Sequence, residues 1–215
     1  MDTLINNFDL FVSGFRNTLI LFFFSAIFAL IIGVIVGAMR VSPVPIMRGV
    51  GTVYVNLVRN TPLTLIMFFF AFGYPKLDLV PLPYEVLAII ALSLYTATYV
   101  AEVLRSGFNT VPVGQAEAAR AIGLPFTQTM TLVVMPQAMR AVIPPMMSVF
   151  IALLKNTTVA AGFAVAEAGQ IRARLSEEGE PAIVVLLWVA AIFVLLVGIL
   201  SLLQRYLERR WKVLR

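Results

Sequence analysis

Two stretches of this sequence contain no charged residue and run too long for the interior of a small soluble domain. Residues 17–39 are rich in Phe, Leu and Ile, and residues 182–203 are equally apolar. At about 1.5 Å per residue, the first reaches roughly 34 Å as a helix, enough to cross a bilayer core. In hydrocarbon every backbone polar group must be satisfied internally, so these stretches must be helical. Composition agrees: 60% of residues are hydrophobic and 13% charged, against soluble averages near 45–50% and about 25%. The expectation is an all-α membrane protein of about five transmembrane helices, a length that suits one bundle of spans of roughly 20 residues each. The chain has no cysteine and no histidine. Disulfides, thiolate nucleophiles, His acid–base chemistry and His or Cys metal sites are therefore excluded. The net charge of +5 comes without the clustered basic and aromatic residues of a nucleic-acid binder.

Between the two runs the pattern is broken in informative places. Residues 1–16 carry Asp2 and Asp9 and lack a basic leader region, which argues against a cleavable signal peptide. Gly33 and Gly37 form a GxxxG pair suited to close helix packing. A second apolar segment is interrupted by Arg59, Asn60, Thr61 and Pro62. An arginine at membrane depth is costly and usually has a role, and Pro62 removes a backbone donor. A single span kinked at Pro62 is expected, rather than an interfacial helix followed by a short span. Residues 74–84, with three prolines, read as an irregular loop. Residues 86–101 form a third span with a polar stripe of Ser93, Tyr95, Thr96, Thr98, Tyr99 and, just beyond, Glu102. Glu102 has two candidate partners: Arg105, three residues on along the same face, or Arg59 across helices. Residues 146–154 are too short to span and stop at Lys155, Asn156, Thr157 and Thr158. Either Lys155 marks the membrane surface or the helix breaks inside the membrane. Residues 172–181 read as a charged loop, and the basic tail carries Tyr206 and Trp211, suited to an interface with anionic lipid.

The remaining segment is a polar, Ala-rich island. Residues 113–122 are good helix formers, with Gly123 as a stop, Pro125 beyond it and Pro112 at the first turn. Such a helix exposes Glu117 and Arg120 beside small alanines that a partner's backbone could approach. Charge orients the bundle. With five spans and the C-terminus inside, the inner face carries Arg40, Arg48, Arg105, Arg120, Arg140 and five basic residues of the tail. The outer face carries Arg16, Lys76, Arg172 and Arg174. This asymmetry follows the positive-inside rule and puts Glu117 in the cytosol, with the N-terminus outside.

Glu117-Ala118-Ala119, Gly123, Val133, Met135 and Pro136 keep the spacing of the EAA signature of membrane subunits of ATP-driven importers, with Val133 and Met135 as mild apolar departures. Three further runs resemble the polar amino acid branch of those permeases. They are VRNTPL around Arg59 and Thr61, TYVAEVLRSG around Thr98 and Glu102, and LLKNTTVAAGFAVAE, in which Asn156, Thr158 and Ala168 depart from the pattern. The resemblance covers nearly the whole chain. It implies a single transmembrane permease domain over residues 1–215, in a type I ABC importer permease bundle, with a coupling loop at about 110–136. In that loop Glu117, Ala118, Ala119, Gly123 and Pro136 would engage an ATPase. It also favours an intramembrane break at Lys155. It implies a substrate path of Arg59, Thr61, Tyr95, Thr98, Glu102, Lys155, Asn156, Thr157 and Thr158. Expected partners are two ATP-binding subunits, a second permease subunit (a copy or a homologue), an extracytoplasmic substrate-binding protein and membrane lipid. No cofactor is expected on this chain; ATP and Mg would sit on the partner ATPase, and the chain has no G-x-x-x-x-G-K-[ST] loop of its own. The place is a bacterial cell membrane. The resemblance points to glutamate or aspartate as substrate, with glutamine or a basic amino acid next; a passive channel or secondary transporter is the rival class.

Overall fold

Small residues decide how the helices of this chain approach one another. The computed structural model describes residues 2–210, so Trp211 lies outside the described residues. A short α1 (Asp2–Asn6) precedes the long α2 (Phe8–Val41). Next come α3 (Pro45–Asn60) and α4 (Leu63–Phe68), which continues as a π turn (Phe69–Gly73) and a 3₁₀ turn (Tyr74–Leu77). The long α5 (Tyr84–Asn109) leads into α6 (Val113–Ala121). After α7 (Phe126–Gln128) and a π-helical stretch (Thr129–Val134), α8 runs Met135–Asn156 and a 3₁₀ helix continues to Phe163. Last are α9 (Ile171–Glu177) and α10 (Ala182–Arg210).

Among the described residues, four helical stretches are long and apolar enough to cross a membrane, and α3 with α4 make a fifth if that bent pair counts as one span. Helices α2 and α5 run parallel, because Gly33 lies against Ala97 and Val100 while Gly37 lies against Ala101 and Leu104. The GxxxG pair thus does serve packing: without Cβ atoms the backbones close up and gain dispersion contacts. Helix α8 runs antiparallel to α5, with Gly107 against Ala138 and Val142. Helix α10 again runs with α2, bringing Phe15 within 5.2 Å of Phe193 and Gln204 to Ser148. One end of the bundle therefore carries Arg40, Arg105 and α6, and the other carries the turn around Glu167.

Three expectations need correction. The segment around Pro62 is not one helix with a kink, since α3 and α4 are separate helices that meet at 97°. Thr61, biased to extended backbone by the following proline, and Pro62 itself both leave the helix, at ψ 130° and 137°. Helix α3 instead lies against α2 and α5, burying Gly51 and Val55 beside Val36 and Ala101. Tyr54 there donates to the Leu94 carbonyl at 2.7 Å. Second, the chain does not break at Lys155. It stays helical and narrows to 3₁₀ winding, as the Thr157 and Thr158 hydroxyls each donate to carbonyls three residues back at 2.7 Å. The turn ends at Ala164, in left-handed backbone with φ 60°. Third, the expected loop at residues 172–181 is partly helical. Ile171 and Leu175, one turn apart, bury among Phe11, Phe15 and Val185 and hold α9 in place.

Candidate functional site

The Ala-rich island folds as the separate helix α6. Its end is fixed by hydrogen bonding characteristic of a Schellman cap: Leu124 N–H donates to Ala119 at 3.1 Å and Gly123 N–H to Arg120 at 3.0 Å. Gly123 sits at φ 89°, where any Cβ is strained. Ala119 is buried under the π-helical stretch, while Glu117, Ala118 and Arg120 are exposed. Around them stand bare apolar side chains, Val113 at 71%, Ile122 at 79% and Phe126 at 74% exposure. Exposed apolar groups ringed by polar ones mark an interaction surface, toward a protein or a membrane. Pro136 lies in the first turn of α8. It cannot donate to the Leu132 carbonyl and its ring would crowd that group. The π turn just before it makes the needed room.

The residues expected along a substrate path do not all converge. Tyr95 and Asn156 share a cavity of about 290 Å³ with Thr96, Tyr99, Ser148 and Leu153. Its two phenol oxygens are 2.9 Å apart. The Arg59 guanidinium lies over the Tyr99 ring, 5.7 Å from its centroid, a cation–π placement at the cavity wall. Phenol and amide groups both donate and accept, so the polar part of this mostly apolar wall can hydrogen-bond a ligand, and Arg59, which does not line the cavity, adds a positive charge beside Tyr99. Thr98 is fully buried and donates to the Tyr95 carbonyl at 2.7 Å. Thr61 caps α3 by donating to the Leu57 carbonyl, and Thr157 is buried beneath α8. Lys155 and Thr158 point the other way, into a groove against Phe193, Val197 and Ser201 of α10. Glu102 also lies elsewhere. It binds Arg105 at 2.6 Å and Arg40 of α2, which settles its partner in favour of the local pair, joined by a residue from another helix rather than by Arg59. Among the described residues no cluster of acidic groups could hold a metal ion.

The family described as "Binding-protein-dependent transport system inner membrane component" matches residues 29–213. The chain belongs to that family. Among similar proteins is the glutamate transport system permease protein GluC of Corynebacterium glutamicum, 49% identical over 166 residues, covering 72% of this chain and 73% of the relative. The probable glutamine ABC transporter permease protein GlnP of Bacillus subtilis is 38% identical over 200 residues, covering 92% and 91%. A solved structure described as an amino acid ABC transporter with histidines superposes with a TM-score of 0.91 at 26% identity, covering 97% of both chains. This permease is accordingly a non-enzymatic, multi-pass inner-membrane component of an amino acid ABC transporter, whose ATPase is a separate subunit.

Sequence reasoning passed over one group of this permease. Glu167 is 1% exposed, bound by the Thr18 hydroxyl at 3.0 Å and the Gly169 N–H at 2.7 Å. Burial raises its pKa to about 7 against these hydrogen bonds. Gly169 was the available signal, because a Cβ there would collide with the Glu167 carboxylate.

Proposed function

We propose that this chain is the permease subunit of an ATP-driven importer for acidic amino acids, glutamate or aspartate. The observation that carries this reading is its likeness, at 49% identity, to a permease named for glutamate transport. The cavity fits that substrate class: Arg59 beside Tyr99 would draw a carboxylate, while Tyr95, Tyr99 and the Asn156 amide would hydrogen-bond the ammonium and the second carboxylate. In this reading two ATPase subunits, carrying ATP and Mg, grip the exposed face of α6 at Glu117 and Ala118. A second permease subunit completes the pathway, and an extracytoplasmic binding protein delivers the amino acid. The N-terminus lies outside and the C-terminus in the cytoplasm, as the excess of arginine at the α6 end supports. Closure of the ATPase dimer moves α6, and the spans rock between outward and inward openings.

The test is to purify the assembled complex with its binding protein and measure which amino acids stimulate ATP hydrolysis. Glutamate or aspartate should do so. Stimulation by arginine, histidine or glutamine, with none by acidic amino acids, overturns the substrate assignment. Transport that persists without any ATPase subunit overturns the importer assignment.

A further inference from the structure

Arg40 sits in the last turn of α2, its side chain only 10% exposed, and pairs with Glu102 of α5. Arg105 holds the second oxygen of the same carboxylate. The Arg40 stem is confined by α3: a Cβ on Gly51 would stand 3.0 Å from Arg40 Cγ and 3.3 Å from Met39 Cβ. Three helices thus meet at one arginine side chain, α3 on its stem and α5 on its guanidinium. From Glu102, α5 runs on without interruption to Asn109, and the turn at Thr110–Pro112 leads into α6.

The rest of the α2–α5 contact is apolar: Val100 and Leu104 seat over Gly33 and Gly37, with Ala97 and Ala101 beside them. Such apolar packing holds the helices close but is not directional, and small sliding of packed helices is a recognised form of domain closure. Only two directional side-chain contacts cross this interface among the described residues. Ser93 reaches the Ser25 carbonyl at 3.5 Å, the limit of a hydrogen bond. The other is Arg40–Glu102, a largely buried, charge-assisted pair of the strong kind.

We propose that Arg40 and Glu102 are positioning residues that fix the axial register of α2 against α5, so that displacement of α6 carries both helices rather than α5 alone. The inference rests on the importer reading. Loss of the pair leaves ATP hydrolysis running while α2 slips, so the stroke no longer opens the pathway fully.

The experiment uses the complete complex in proteoliposomes with its binding protein, driven by whichever amino acid stimulates the wild type. The amino acid transported per ATP hydrolysed is measured. Arg40→Gln and Glu102→Gln should lower that ratio by about two- to thirtyfold, the range of mutational effects on coupling, with all subunits still co-purifying. The swap Arg40→Glu with Glu102→Arg keeps the cross-helix pair and the net charge and should restore the ratio. A wild-type ratio in Arg40→Gln, or an assembled swap no better than the single variants, overturns the proposal. Should the single variants fail to assemble, the swap decides alone: a wild-type ratio upholds it, and a low ratio or failed assembly overturns it. A wild type stimulated by non-acidic amino acids alone refutes the substrate assignment but leaves this ratio measurable.

Discussion

Replacing Glu167 by Gln should change how stability depends on pH. Thr18 has one hydroxyl proton and two acceptors, the Gly14 carbonyl at 3.1 Å and Glu167 at 3.0 Å, and it already accepts from Ala168 N–H at 3.1 Å. A protonated Glu167 resolves the competition by donating to Thr18, leaving Thr18 free to donate to Gly14; an ionised one competes with that carbonyl. Burial, the larger influence, raises the carboxyl from 4.5 to about 7. The sign follows. Unfolded chains lose this proton near 4.5 and folded ones near 7, so between those values the folded state binds more protons. Stability is then full below the unfolded value, falls as pH rises, and is lowest above about 7. At 1.36 kcal/mol per unit, the difference is about 3 kcal/mol, or roughly 6–12 °C in midpoint for a chain of this size. The assay is thermal unfolding of the purified complex in detergent from pH 5 to 8, for wild type and Glu167→Gln. The variant, which cannot ionise, should lose the wild-type decline across this window. A wild-type midpoint that is flat, or that rises with pH alongside an unchanged variant, refutes the reasoning.

Gly33→Ala should destabilise the α2–α5 pair by about 1–3 kcal/mol, the usual cost of overpacking, because the new Cβ would meet Val100 Cβ at 2.5 Å and the Ala97 carbonyl at 3.0 Å. Gly198→Ala in α10, with nothing within 4 Å, is the control in the same thermal assay, and equal midpoints for the two would contradict the packing argument. Gly123→Ala, forced into left-handed backbone at φ 89°, costs about 1–2 kcal/mol at the end of α6; transport should fall while expression holds, and unimpaired transport would show that this cap is dispensable.

What the sequence revealed and what it hid divide along physical lines. The spans, the GxxxG contact, α6 and its Gly123 stop were legible because each follows from a local rule: apolar length, absent Cβ atoms, helix propensity and a residue that tolerates positive φ. The 97° turn at Thr61 and Pro62 was not, since a proline in an apolar run reads the same whether the helix bends or ends. Likewise a Lys-Asn-Thr-Thr run suggests interruption, but its threonines satisfy their own turn and only tighten it. Partners of charged groups depend on which helices become neighbours. Arg40 therefore reads from sequence as an inner-face charge, and its pairing with Glu102 emerges only from the parallel packing of α2 on α5.

The distribution of backbone donors shows where such a bundle can yield. Helix α2 is free of proline through its whole length and is tied near one end by Thr18 to Glu167 and at the other by Arg40 to Glu102. Helix α5 is also free of internal proline. Helix α8 contains Pro136, Pro144 and Pro145, which leave the carbonyls of Leu132, Arg140 and Ala141 without their usual α-helical donors. It begins in π winding and ends in 3₁₀ winding, so its hydrogen-bond pattern changes twice between the α6 end and Phe163. Bends in helices concentrate at such prolines and π turns. The stiff pair α2–α5 and the compliant α8 meet at Gly107, where α5 lies against Val142 between the two proline sites. A displacement of α6 therefore reaches a rigid body through α5 and a pliant one through α8, and the Tyr95–Asn156 cavity lies between those two helices.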